Sequence, residues 1–518
     1  MSAAYQQIEQ QEAAFSSARE KFFALQQYMS SESSMRLTHA QLETCVVERT
    51  REIARDFVQG HLDLRAIAEK PVRVVGSDGI ERRQHRSACR RLRLLVGDVT
   101  VQRLLYQACG VEGLAPQDGA LSLAPDCFSM GVRRRVAEEA IRGSFDEAVE
   151  RMDSTSGAHV AKRQAERLVL AAAVDFQEFY STQSWQEESP EQLLILTFDG
   201  AGIIMRVEGL REQTRIKAQQ EAMQPQVWPE RLGTGEKPNR KRMAEVASVY
   251  SVEPYVRTAD DIISEMASIR LVRTNESSKR PRPVNKRVWA SVEREMSEVI
   301  DEGFREALRR DPKQQRHWVV LVDGQKQQLE AIVAAAKRHN VKLTIICDFI
   351  HVMEYLWKAA HCFHEAGSNE ARLWVAERAR MLLEGVDASQ VAAGMRRSAT
   401  RQGLARRKAV DTCARYLKNR RNYLHYGDAL ARGLPIASGA IEGACRHLVR
   451  DRLDCCGARW GINGAEAVLK LRALASSGDL EDYWEFHLRC EHQRNHAALY
   501  AHATVPTPIP TTRLRRIK

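Results

Sequence analysis

What this 518-residue chain lacks narrows it first. It has 11 cysteines but no CxxC pair anywhere, so the usual zinc-ribbon and thiol-redox spacings are missing. The adjacent Cys455 and Cys456 do not bridge each other, and scattered thiols suit a reduced, intracellular protein. Cytoplasmic residence, nucleoid-associated when bound to DNA, is the expectation. No apolar run approaches the roughly 20 residues of a spanning helix, so no membrane partner is expected. The opening MSAAYQQIEQQEAAF is polar and acidic-leaning, unlike a secretory signal or a transit peptide.

A large excess of one charge is also missing. Lys+Arg number 78 against 67 Asp+Glu, a net charge of +11, which on a long chain points only weakly to a polyanion. The distribution says more. Basic residues gather around REIARDF and RVV, in ERRQHRSACRRLRLL, in EKPNRKR (236–242), in SSKRPRPVNKR (277–287) and in the tail TRLRRIK. Any one cluster reads as a solvated face. Five together favour nucleic acid, with Lys237, Arg240, Lys241 and Arg242 as candidate DNA contacts.

The texture divides the chain. Residues 1–70 read as a polar helical arm with apolar positions three and four apart (Phe22, Phe23, Leu25, Tyr28, then Leu37, Leu42, Val46, Val47), suited to oligomerisation or to a solvent face. Short alternating runs predict a small β-rich basic domain over 71–127. Residues 128–185 read as helix, tight turn at Gly157, helix. This is a helix-turn-helix pattern with Lys162, Arg163 and Arg167 as candidate DNA contacts, or an ordinary helical hairpin.

The second half carries the chemistry. LLILTF (193–198) and GIIMRVEG (202–209) predict two strands joined at Asp199-Gly200-Ala201, and AEVASVYSVE (244–253) a third. Residues 259–317 read as largely helical with a basic loop. HWVVLVDG (317–324) predicts a fourth strand and VKLTIICDFIH (341–351) a fifth, separated by one helix. A β-α-β unit implies a mixed sheet with its first, fourth and fifth strands parallel. The ends of neighbouring parallel strands lie side by side, which brings Asp199 and Asp323 together. Adjacent carboxylates repel unless a cation separates them, and hard oxygen ligands suit Mg²⁺ or Mn²⁺. One Asp-Gly after a strand is a common turn; two favour a metal site. Ser438-Gly439 predicts a helix start, with Glu442 in its first turn and Arg446 and Arg450 at i+4 and i+8. By spacing alone Glu442 needs no partner but the helix dipole.

LTFDGAG, VLVDGQKQQLEAI, CDFIHVMEYLW and GLPIASGAIEGACRHLVRDRLDCCGARWGINGAEAVLKLRAL together resemble bacterial insertion-sequence transposases of the DDE class, of the ISKra type. The resemblance covers roughly 88–485 and is densest at 435–474. It implies an α/β fold: an RNase H-like mixed-sheet core interrupted by an all-α insertion, behind an N-terminal helical and small β-rich/helix-turn-helix DNA-binding region. On it the core spans 190–351, the insertion 352–432, the C-terminal core helix 433–485 and a basic tail 486–518.

The match makes Asp199, Asp323 and Glu442 the catalytic, metal-binding triad, holding two Mg²⁺ (or Mn²⁺) ions. Asp348 and His351 in DFIH match a (Cys or Asp)-x-x-His element, whose role is metal support, strand-end positioning, or a core histidine bonded to a structural Asp. Cys109, Pro116 and Asp118 keep part of an N-terminal CxxC…Pro-x-Asp pattern but lack its second cysteine. HLRCEHQRNH places His487, Cys490, His492 and His496 on more than one helix face, which reads as a polar surface helix rather than a zinc site. Arg446, Arg450 and Arg459 read as phosphate contacts and Trp460 as a base-stacking residue, against the core role most tryptophans take. The implied activity is cleavage and strand transfer of double-stranded DNA, at terminal inverted repeats and target, by a homodimer or larger synaptic assembly. A nuclease without transposition and a catalytically silent DNA-binding regulator are the alternatives.

Overall fold

The computed structural model describes every residue except 1–11, 186–187, 224–239, 269–279, 404, 406, 455–456 and 510–518. Lys237, the Cys455-Cys456 pair and the basic run 512–518 lie outside the described residues. The chain forms two compact units, 1–181 with 480–518, and 182–479. The segment 480–485 therefore belongs with the first unit.

In the first unit, strands β1 (Gln84–Leu94), β2 (Gly97–Ala108) and β3 (Val111–Leu114) form an antiparallel sheet. The helix His39–Ala68 opens at Thr38, whose hydroxyl accepts from the Gln41 amide while the Gln41 side chain accepts from the Thr38 amide. Leu62 of this helix packs on Leu92, Val99 and Val101 of the sheet. Phe22, Phe23 and Val47 stay exposed on the N-terminal helices.

Helices Phe145–Thr155 and Lys162–Ala172 follow Met130–Arg142, with the turn between the last two at Ser156–Ala161. Gly157 is there because the β1–β2 turn comes so close: its amide donates to Leu95 O over 2.6 Å, and an added Cβ would meet the Val96 carbonyl carbon at 2.7 Å. Lys162, Arg163 and Arg167 are exposed, opposite buried Ala165, Leu168 and Val169.

Helix Leu480–Asn495 differs from the surface helix expected. His487 is 1% exposed and meets Asp175 Oδ2 over 2.6 Å. His496 faces Leu123 O at 2.7 Å, and His492 bonds Ser122 Oγ at 2.9 Å. Asp175, His487 and Glu491 bring ligand atoms within 4.8 Å, but Arg494 already pairs with both acids, so this is a satisfied polar cluster. Cys109 is exposed and Asp118 pairs with Arg103 and Arg90.

The second unit is an α/β body around a five-stranded mixed sheet. Strands β4 (Leu193–Ile204), β5 (Lys241–Val252), β6 (Val284–Ser291), β7 (Trp318–Val322) and β8 (Leu343–Cys347) lie in the order β6-β5-β4-β7-β8. β4, β7 and β8 run parallel, as the sequence reading expects, and β5 is antiparallel to both neighbours.

Two strand expectations need correction. The pair of strands expected at 193–209 is one strand, paired with β5 from Leu193↔Val252 to Ile204↔Lys241. Gly200 and Gly202 therefore lie within a strand rather than in a turn, and a Cβ on either would meet only a flexible side chain, Met243 Cε or Lys241 Cδ, at 2.9 Å. Asp199 sits inside this strand, not at its tip.

The second correction is β6, expected as basic loop. Arg287 in it is 1% exposed and bonds Glu306 at 2.6 Å and Glu302 at 2.8 Å from helix Met296–Arg310, with its guanidinium over Trp289. A pattern that scores every Arg as solvent-facing cannot see such a strand.

The two sheet faces have different covers. Phe198 meets Gly303 of helix Met296–Arg310 on one face. On the other, Leu193, Ile195, Val319 and Leu321 pack with the helices Phe349–Ala360, Asn369–Leu383, Ala388–Arg401 and Lys408–Arg420. Asp199 lies on that second face, two pleats from Ile195.

Candidate functional site

β4 delivers Asp199, half-buried, in the middle of the sheet. Its Oδ1 accepts from the Gly200 amide at 2.7 Å and its Oδ2 from the Cys445 thiol at 3.2 Å. β7, the parallel neighbour, delivers Asp323 one residue past its end. Asp323 Oδ1 accepts from the Gln325 amide at 2.8 Å, and the next residue, Gly324, has φ +86°, a left-handed bend.

The third acid comes from helix Gly439–Ala444. The sequence reading makes Ser438 the cap of this helix, but its hydroxyl goes elsewhere. The Ser438 amide donates to Asp348 Oδ2 at 2.8 Å, and the hydroxyl donates to the same oxygen. Asp348 Oδ1 accepts from the Ile350 amide at 2.7 Å, capping helix Phe349–Ala360. Asp348 is 5% exposed, lines the same cleft as the other acids, and through these bonds fastens two helix starts. His351 stands edge-on to Tyr355 and Tyr416, with Nδ1 3.9 Å from Glu354.

After Ala444 the helix widens into a π-helical turn over Cys445–Arg450. Eight residues of regular α-helix carry a side chain about 80° round the axis. The wider turn takes back part of that drift, and Glu442, Arg446 and Arg450 all line one cleft. The cleft measures about 630 Å³ and also holds Asp199, Asp323 and His351.

Its electrostatics are those of crowded acids. Burial pushes Asp199 up from the ordinary carboxylate range, and the Asp323 charge adds to this, while the Cys445 and Gly200 hydrogen bonds and the Arg450 charge oppose it. Glu442 is also raised, by partial burial and then by Asp348, Glu354 and Asp199, with Arg450 opposing. Asp199 is thus the common neighbour of the other two acids. The three do not bring oxygens within 4.8 Å of one another as a set. Oxygen-only donors that repel one another in an open cleft fit hard divalent cations.

Other residues named from sequence fall less favourably. Trp460 is 6% exposed, with its indole N–H on Leu453 O at 3.2 Å and Arg452 across its ring. Its backbone pairs with Met205 and Ile204; it is a core residue and offers no face to a base. Arg242 spends its guanidinium on the Gly209 and Glu293 carbonyls at 3.2 and 2.9 Å. Lys241 pairs with Asp454 at 2.9 Å, and Arg240 is half-buried. Arg459 is exposed, and Arg446 is exposed beside Asp451 at 3.5 Å.

Sequence reasoning missed three supports. Cys445 follows Glu442 by three residues, which is one helical turn and the only clue to it. Tyr416 donates its hydroxyl to Asp323 O at 2.8 Å, and Arg420 Nε donates to Gly324 O. Both come from a helix far along the chain, and no spacing announces them. The chain matches no family model and no curated protein.

Proposed function

We propose that this chain is a DNA transposase of the DDE class, with an RNase H-like core, that cuts the ends of an insertion sequence and joins them to target DNA. One observation carries the reading: an acid inside the central strand, an acid at the end of its parallel neighbour and an acid on a helix share one cleft with two arginines. The all-helical stretch between β8 and Gly439 supports it too.

Asp199, Asp323 and Glu442 would hold the metal, two ions in this reading. Mg²⁺ or Mn²⁺ there would supply activation of water or a 3′-hydroxyl and stabilisation of the leaving oxygen. The protein's own residues do the rest. Arg446 and Arg450 grip phosphates of the scissile strand. Asp348, through Ser438, fixes the start of the helix that carries Glu442. Tyr416 and Arg420 hold the Asp323-Gly324 bend by its carbonyls.

Lys162, Arg163 and Arg167, on the exposed face of their helix, read the terminal repeats. The exposed Phe22, Phe23 and Val47 supply apolar surface for assembly on two ends. The test is a reaction on DNA carrying the sequences that flank this chain's own coding region. Cleavage followed by joining supports the transposase reading; cleavage without joining makes it a nuclease; binding without cleavage makes it a regulator.

A further inference from the structure

A second cleft in the same unit, larger than the acid cleft at about 790 Å³, is claimed by none of these roles. Tyr250 and Tyr255 line it together with Arg257, Arg280 and Arg282; among the described residues its one acid is Glu253, which accepts from Gln192 Nε2 at 2.7 Å. Arg280 and Arg282 are exposed. Arg257 is only 7% exposed and donates to Leu434 O at 3.0 Å, and its buried Nε has no hydrogen-bond partner among the described residues. Its guanidinium also lies over the Tyr255 ring.

The cleft adjoins the acid cleft. Gly439, one turn before Glu442, lines both. Tyr250 pairs with Ile195 while Val246 pairs with Asp199, on the same sheet face. Four strand residues separate them, on the order of 13 Å.

We infer that this cleft takes an unpaired DNA nucleotide of the strand entering the acid cleft, its base against Tyr255 and its phosphates on Arg280 and Arg282. The inference rests on the reading of the acid cleft as a phosphodiester site. Aromatic faces interleaved with arginines are how single strands are held without regard to sequence.

The test is anisotropy of a short fluorescein-labelled oligothymidylate in EDTA across a salt series, with a blunt duplex of equal length beside it. The Arg280→Ala/Arg282→Ala protein, altered only at exposed positions, should lose about tenfold in affinity and about 1.4 in salt slope, 0.7 per lost phosphate. Tyr255→Ala should lose about tenfold on the oligothymidylate with the slope kept. Unchanged binding by both overturns the inference, as do equal losses on the duplex. Asp199→Ala should bind the oligothymidylate like wild type and lose cleavage. Wild-type cleavage with pocket variants that bind normally sinks the pocket alone. Pocket-dependent binding with no cleavage of any DNA sinks the acid-cleft reading alone.

Discussion

The thiol of Cys445 donates a hydrogen bond to Asp199 Oδ2 over 3.2 Å, from a π-helical turn onto the central strand. It fixes the rotamer of the acid that neighbours both others. Partners of this kind typically carry a ten- to hundredfold effect. Cys445→Ala should lower the cleavage rate about tenfold and raise the Mg²⁺ concentration needed, while Cys445→Ser, which keeps a donor, should stay near wild type. Mg²⁺ titrations of single-turnover cleavage read both; equal loss in the two variants would make the site one of packing only.

Asp348 and Asp199 should part company in stability. Asp348→Ala removes a helix cap and the anchor of Ser438, a loss of about 2–3 kcal/mol. Asp199→Asn removes a crowded, desolvated charge, so in EDTA it should cost nothing or stabilise slightly. Urea unfolding of the two variants decides. If Asp348→Ala is neutral, its hydrogen bonds are not what holds the Glu442 helix.

Arg287 is the positive centre of a buried cluster with Glu302 and Glu306. Arg287→Leu would leave Glu306, fully buried, short of one cation and Glu302 without its buried partner, though Arg309 and Arg310 remain 2.6 and 2.8 Å from Glu306. The expected loss is about 3 kcal/mol, with a lower midpoint in thermal unfolding.

Glu245 sets a pH dependence. Burial, then the charges of Asp199 and Asp323, push its carboxyl from 4.5 to about 7, with Arg211 opposing. Below 4.5 the group is neutral folded or unfolded. As pH rises toward 7 the unfolded chain ionises first, so stability is lost over that window, on the order of 3 kcal/mol in total. Glu245→Gln should flatten the curve in EDTA. An unchanged slope across that window would place the dependence elsewhere.

The parallel trio of strands was legible because Leu193–Phe198, Trp318–Val322 and Leu343–Cys347 are apolar runs bounded by polar residues, a pattern that owes nothing to distant neighbours. Asp199 and Asp323 stood out because they interrupt or end such runs, whereas Glu442, by spacing alone, needed no partner but the helix dipole and came only from the resemblance. What failed depended on long-range partners. Arg287 looks solvent-bound until Glu302 and Glu306 are folded over it. Gly200 looks like a turn until it pairs with Glu245 of β5 in an unbroken ladder. Trp460 looks available until Leu453 and Met205 enclose it. Tyr416 acquires meaning only where it meets the Asp323 carbonyl, 93 positions away in the chain.

The most direct measurement is Mg²⁺-dependent cleavage of end-bearing DNA by Asp199→Ala, Asp323→Ala, Glu442→Ala and Asp348→Asn, each first checked for DNA binding. The account predicts that the first three bind DNA and do not cut, while Asp348→Asn, which keeps a capping oxygen, cuts within about tenfold of wild type. Glu442→Ala that still cuts, beside Asp348→Asn that does not, would contradict it and move the third ligand to the end of β8.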